Sequence, residues 1–257
     1  MKQKIYLLCG LLCDTTVWQH QAAALAPYFD VETFSFQGFD NLTAMAEHVL
    51  AQGSDSFILA GHSMGARVAL EICRLAPQRV EKLILLDTGI HPLKAGETEK
   101  RAALVKAAEE NGMPYLIKHW LMPMLAENHR TQPDIMQPLA QMVLRFTPED
   151  FAKQIHALVH RPSAATVLHG IRCPLLLGVG ELDAWSPVTQ HTAMQEIAPH
   201  AELAVFPQAG HMAPFETPQT VNRSLLQWLL PDNQAETFAP GFEVQSEVRV
   251  AQTYSFR

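Results

Sequence analysis

Gly61-His62-Ser63-Met64-Gly65 follows the apolar run Phe57-Ile58-Leu59-Ala60 and precedes Ala66 to Leu75, where Val68, Ala69, Ile72 and Leu75 recur at helical spacing. The run before it reads as a buried strand and the stretch after it as a helix. A serine between two glycines at such a junction is a nucleophile elbow: the turn forces the central residue into strained backbone angles, and the glycines let strand and helix approach without Cβ clashes. The hydroxyl is thereby lifted clear of the sheet, over a helix N-terminus. The five-residue pattern alone is weak, since a plain strand-to-helix turn satisfies it, so partners further along the chain must decide.

The 257 residues are enough for one domain with a full core, or for one domain carrying an insertion. Hydrophobic content of 48% with 18% charged residues suits a compact fold, and a net charge of −7 without a basic cluster argues against nucleic acid. No apolar run reaches the roughly 18 residues of a bilayer span, and no small-residue cleavage site follows the N-terminal apolar stretch, so neither a membrane span nor a signal peptide is expected. Cys9, Cys13, Cys73 and Cys173 show no CxxC and no metal-ligand spacing. Reduced thiols in a cytoplasm are the expectation, with no metal and no cofactor.

Strand-like and helix-like segments alternate along the chain. Ile5–Cys9, Val31–Phe36, Phe57–Ala60, Lys82–Leu86, Pro174–Val179 and Ala201–Phe206 have strand character; helices are expected around Val17–Tyr28, Leu42–Ala51, Pro187–Ile197 and Pro218–Leu230. That alternation predicts an α/β fold, a mostly parallel central sheet with helices on both faces and sites at the carboxyl ends of its strands. Residues 91–161 carry no strand signal. Glu97–Glu110, Pro114–Leu125, Ile135–Phe146 and Pro148–His160 read as helices, broken by turns at Met122-Pro123, Gln132-Pro133 and Gln137-Pro138. The expected organisation is a core of residues 1–90 and 162–231, a helical cap over 91–161, and a C-terminal extension over 232–257. In that extension Phe242, Val244, Val248, Val250, Tyr254 and Phe256 alternate with polar residues. This period of two predicts a strand or hairpin over 240–256, paired with a sheet edge or with a second copy of the chain.

A serine hydroxyl is a poor nucleophile near pH 7; it needs a base, and the base needs orienting. Of twelve histidines, His211 stands out: it lies in Ala209-Gly210-His211-Met212, a glycine loop after the last strand, at the sheet edge to which Ser63 points. His20, His48, His119 and His156 fall inside helices, and His62 should point away from its neighbour Ser63. The orienting acid should end another strand, and Asp183 in Val179-Gly180-Glu181-Leu182-Asp183 qualifies, with Glu181 and Asp87 as alternatives. Donors for a developing oxyanion are the backbone N–H groups of Met64 and of Leu11, the latter in the turn Cys9-Gly10-Leu11-Leu12. Asp14 suits a helix cap.

With these residues in place the chain resembles the α/β-hydrolase superfamily over residues 4 to 230. Gly10-Leu11-Leu12, Gly61-His62-Ser63-Met64-Gly65, Gly180-Glu181-Leu182-Asp183 and Gly210-His211-Met212-Ala213-Pro214 occur in the family's order and with family-like spacing. The resemblance is closest to small, capped bacterial esterase-like hydrolases, a group with enol-lactonase and biotin-pathway methyl-esterase relatives. It implies a cofactor-independent serine hydrolase. Two departures stand out: Cys9 replaces the histidine usual before the oxyanion glycine, and the chain starts almost at the first central strand, without the common N-terminal hairpin. The extension has no counterpart.

For substrate contacts, Leu12, Trp185 and Met212 are expected to wall an apolar pocket, with Trp120 and several methionines supplied by the cap. No Arg or Lys cluster is evident that could hold a carboxylate or phosphate; Arg161 stands alone, and an ion pair would explain it. The leading expectation is hydrolysis of a small, mainly apolar ester, lactone or thioester through an acyl-enzyme. The alternatives are C–C bond hydrolysis or a lyase reaction on the same three residues, or a binding protein on a hydrolase scaffold.

Overall fold

The computed structural model describes residues 2–231. Six strands, β1 (Lys4–Leu8), β2 (Asp30–Phe34), β3 (Phe57–His62), β4 (Val80–Leu86), β5 (Leu175–Gly180) and β6 (Glu202–Phe206), form one sheet in the order β2-β1-β3-β4-β5-β6. Every pairing is parallel. Parallel strands need crossovers, and helices supply them: α1 (Gln19–Leu25), α2 (Leu42–Leu50), α3 (Met64–Leu75) and α10 (Val188–Ile197), with α12 (Pro218–Leu229) following the last strand. The sequence pattern matches this closely. Strands β3 and β5 are buried along their whole length, as a sheet covered on both faces requires, whereas the edge strands β2 and β6 are only partly buried.

The chain runs outward from β1 to β2, then returns to place β3 on the other side of β1. Strand order reverses there, and a crevice opens at the carboxyl ends of β1 and β3. The Gly10–Leu12 turn leaves β1 at that point, and Ser63 leaves β3.

Between β4 and β5 the chain is helical: α4 (Glu97–Asn111), α5 (Met113–Leu116), α6 (Met122–Met124), α7 (Pro133–Leu144), α8 (Pro148–Val159) and α9 (Ala165–Gly170). A π-helical turn over Ile117–Leu121 joins α5 to α6. Helix α8 starts at a complete capping box between Thr147 and Asp150, with Pro148 in its first turn. Two expectations need correction. Pro123 and Pro138 do not break helices; they lie within α6 and α7. Pro138 sits five residues after the helix start, so it forfeits a single bond, to Asp134. Helices α9 and α11 (Ala213–Glu216) carry no sequence signal strong enough to be expected. The strand or hairpin expected over 240–256, and with it a homo-oligomer built through the extension, lies outside the described residues. Among the described residues no helix is long and apolar enough to cross a membrane.

Candidate active site

Ser63 occupies the N-cap position of α3 at φ 54° and ψ −114°. Serine usually caps a helix with its own hydroxyl; here the strained angles turn the side chain away, and no capping bond forms. Its backbone is pinned instead, the N–H donating to Leu86 O at 2.9 Å and the carbonyl accepting from Thr88 Oγ1 at 3.0 Å. The elbow also explains its glycines. A Cβ on Gly65 would stand 2.2 Å from the Leu8 carbonyl oxygen, and one on Gly61 2.5 Å from the Ala66 backbone.

The Ser63 hydroxyl donates to His211 Nε2 at 2.8 Å, and His211 Nδ1 donates to Asp183 Oδ2 at 2.7 Å. Asp183 is buried at the turn after β5, where its Oδ1 accepts the N–H groups of Trp185 and Ser186 at 2.8 and 2.9 Å. Burial works to raise its pKa; His211 and those two N–H groups outweigh it and hold the carboxyl below its ordinary range. The alternative acids are engaged elsewhere. Glu181 accepts the Gln208 N–H, and Asp87 Oδ1 accepts the Gly180 N–H at 2.8 Å. Burial, then the nearby Asp183 charge, pushes Asp87 well above the usual carboxylate range, and its Oδ2, 3.9 Å from His62 Nε2, makes no hydrogen bond among the described residues. Asp14 caps the 3-10 turn at Thr15 by accepting the Thr16 N–H.

His62 does not simply point away. Its Nε2 donates to the carbonyl of His211 at 2.8 Å, and burial, then His211, pushes its pKa down to about 3. A neutral imidazole therefore props the loop that carries His211.

Leu11 and Met64 line one cavity with Ser63 and His211, and neither backbone N–H donates to another backbone group among the described residues. Gln154, buried on α8, was not singled out in the sequence, where nothing marks it. Its Oε1 accepts the Leu12 N–H at 2.8 Å and its Nε2 donates to Phe36 O at 2.9 Å, holding the turn after β1 with Leu12 at φ 52°. Glu216 is a second such residue: Oε1 accepts the N–H groups of Gly210 and Met212, on either side of His211.

The cavity over Ser63 measures about 110 Å³. Trp185 lines it; Trp120 lines an adjoining cavity of about 460 Å³ that shares His91, Glu97, Arg101 and Trp185 with the first. Leu12 and Met212 line neither cavity. Both side chains are buried in the core beneath the loops that carry them. The expectation that no arginines gather here is overturned. Arg67, Arg101 and Arg161 all line the first cavity, together with Glu97. Arg161 is more than the isolated ion pair the sequence suggested: its side chain is buried and meets Glu97 through two 2.9 Å hydrogen bonds. Among the described residues no group of three His, Cys, Asp or Glu side chains is placed to hold a metal ion.

Several known proteins share this architecture. The chain is 26% identical to the pimeloyl-(acyl-carrier protein) methyl ester esterase of Vibrio campbellii, over 83% of this chain and 89% of that protein. A thermophilic esterase from Thermogutta terrifontis, solved with malate bound, superposes with a TM-score of 0.80 at 28% identity, covering 92% of each chain. The enol-lactonase of Burkholderia xenovorans has the same fold, with a TM-score of 0.80 at 18% identity over 89% of this chain and 92% of that one. Residues 5–224 match the model of the alpha/beta hydrolase family, and the chain belongs to that family.

Proposed function

We propose that this protein hydrolyses a small carboxylic ester, lactone or thioester through an acyl-enzyme on Ser63. The observation that carries the reading is the unbroken series from Ser63 Oγ through the His211 ring to Asp183, mounted on a strained elbow beside two free N–H groups. The identity to esterases across nearly the whole chain supports it.

In this reading Ser63 Oγ attacks the substrate carbonyl while its proton passes to His211 Nε2. Asp183 fixes the tautomer that leaves Nε2 free to accept and stabilises the imidazolium that forms. The N–H groups of Leu11 and Met64 hold the oxyanion, aided by the N-terminus of α3. Collapse of the tetrahedral intermediate breaks the ester C–O bond, and the leaving alkoxide takes the proton from His211. Water then attacks the acyl-enzyme with His211 as base, the acid is released, and the proton returns to Ser63 Oγ. No step calls for a metal or cofactor.

A panel of p-nitrophenyl esters of rising acyl length, run on wild type and Ser63→Ala, tests the proposal. Turnover should fall on the order of 10⁴-fold in the variant with the fold retained. Turnover in Ser63→Ala within tenfold of wild type would contradict it.

A further inference from the structure

Ser63 is the N-cap of α3 and Arg67 lies in the first turn of that helix, and both line the cavity over the elbow. Arg67 is buried, 7% exposed, where it lines the cavity over Ser63. One of its terminal nitrogens, Nη2, donates to His91 O at 2.7 Å; the other, Nη1, has no partner. A buried guanidinium donor without an acceptor is costly and rare. A second nitrogen of the same cavity, His91 Nδ1, is also buried and unpartnered.

The neighbouring charges divide into two kinds. Arg161 is saturated: it grips Glu97 with both terminal nitrogens and donates further to the carbonyls of Leu158 and Pro92. Arg101 gives Glu97 only its Nε, which leaves its terminal nitrogens uncommitted at the junction of the two cavities. Three guanidinium groups thus face one paired carboxylate, Glu97, and the buried Asp87, whose pKa burial pushes up, so cations are in excess. His91 does not add to it, because burial, and then the cations Lys94, Arg67 and Arg161, press its pKa down to about 4. Asp183 is turned beneath His211 and spends its charge there. Further out, Lys94 and Lys100 line the adjoining cavity and extend the positive field toward solvent.

We infer that the substrate carries an oxyanion, a carboxylate or a phosphate, a few bonds from its scissile carbonyl, and that Arg67 Nη1 and Arg101 receive it while Glu97 and Arg161 hold the site in shape. The inference rests on the reading of Ser63 as nucleophile and narrows its substrate class. A carboxylate oxygen would supply the acceptor that Arg67 lacks, in a charge-assisted bond. The small volume over Ser63 favours a short spacer between the two groups.

The test has two arms. Binding of succinate and of inorganic phosphate to the full-length protein, followed by calorimetry at low salt, reads the anion site without turnover. One of the two should bind at millimolar concentration or tighter, and Arg67→Gln should weaken it about tenfold or more. Tighter succinate marks a carboxylate site, tighter phosphate a phosphate site. The second arm compares kcat/KM for monomethyl succinate with that for methyl levulinate, in which a methyl ketone replaces the carboxylate on the same skeleton. Wild type should favour the anion about tenfold, and Arg67→Gln should abolish the preference through KM, with Arg67→Lys restoring part of it. If Arg67→Gln fails to fold, Arg101→Gln at the rim should lower the same ratio about threefold. Binding indifferent to Arg67, or an equal ratio in wild type and variant, would overturn the inference. Arg67-dependent binding together with p-nitrophenyl ester turnover unchanged in Ser63→Ala would uphold the anion site and contradict the role of Ser63.

Discussion

Glu216 and His129 meet in a buried pair, His129 Nδ1 donating to Glu216 Oε2 at 2.8 Å. The same carboxylate accepts the Ala126 N–H at 2.8 Å, and its other oxygen accepts those of Gly210 and Met212 at 3.0 Å. One side chain thus ties the segment after α6 to both flanks of His211, and His211 itself donates its backbone N–H to Met124 O. Glu216→Gln would turn an NH₂ group toward two of these four donors. It should destabilise the protein by about 3 kcal/mol in urea unfolding and lower kcat more than it raises KM, since His211 loses its frame. A change below about 0.5 kcal/mol would show that the loop is held by other means.

The two buried carboxyls at the strand ends should respond differently to the same substitution. Asp183→Asn should cost on the order of 10⁴-fold in kcat by favouring the wrong His211 tautomer, and Asp87→Asn far less. A reversed result would move the acid to the end of β4.

Asp87 also makes a pH-dependent prediction. Its folded-state pKa is raised, by burial first, so its contribution to stability is fully present below about pH 4 and is lost as pH rises toward the folded value. Asp87→Asn, which mimics the protonated acid, should therefore gain stability relative to wild type between pH 5 and pH 7. Urea midpoints of both proteins at the two pH values measure this, and a difference independent of pH would contradict the assigned shift.

Gly65→Ala should be far more damaging than its size suggests. The new methyl would fall 2.2 Å from Leu8 O and 2.7 Å from Cys9 O, backbone atoms at the carboxyl end of β1. Gly38→Ala, at a position with φ 82° and open space around it, provides the comparison. Thermal melts should show Gly65→Ala unfolded or lowered by more than 10 °C, roughly 3 kcal/mol or more for a domain of this size, and Gly38→Ala lowered by much less. Equal melting points would mean that the elbow yields where it is described as tight.

The sheet was legible because each strand is a short apolar run between turn residues, and the Ser63–His211–Asp183 series because each member lies within three residues of a glycine at a strand end. The arginine cluster was not. Arg67, Arg101 and Arg161 lie on α3, on α4 and after α8, far apart in the chain, and Arg67 falls where an amphipathic helix would ordinarily turn a charge to solvent. Leu12 and Met212 misled for a related reason. Adjacency in sequence to Leu11 and His211 placed them near the site, but it did not show that their side chains turn down into the core. Gln154 and Glu216 act through backbone N–H groups of distant loops, which no local pattern reveals.

The central claim, that Ser63 is the nucleophile, is tested most directly by a covalent label. Wild-type protein treated with a fluorophosphonate and digested should carry one phosphonyl group, on the peptide containing Gly61 to Gly65, with fragment ions placing it on Ser63. The adduct should be absent from Ser63→Ala and strongly slowed in His211→Ala. An adduct mapped to any other residue, or one formed equally fast in Ser63→Ala, would contradict the account.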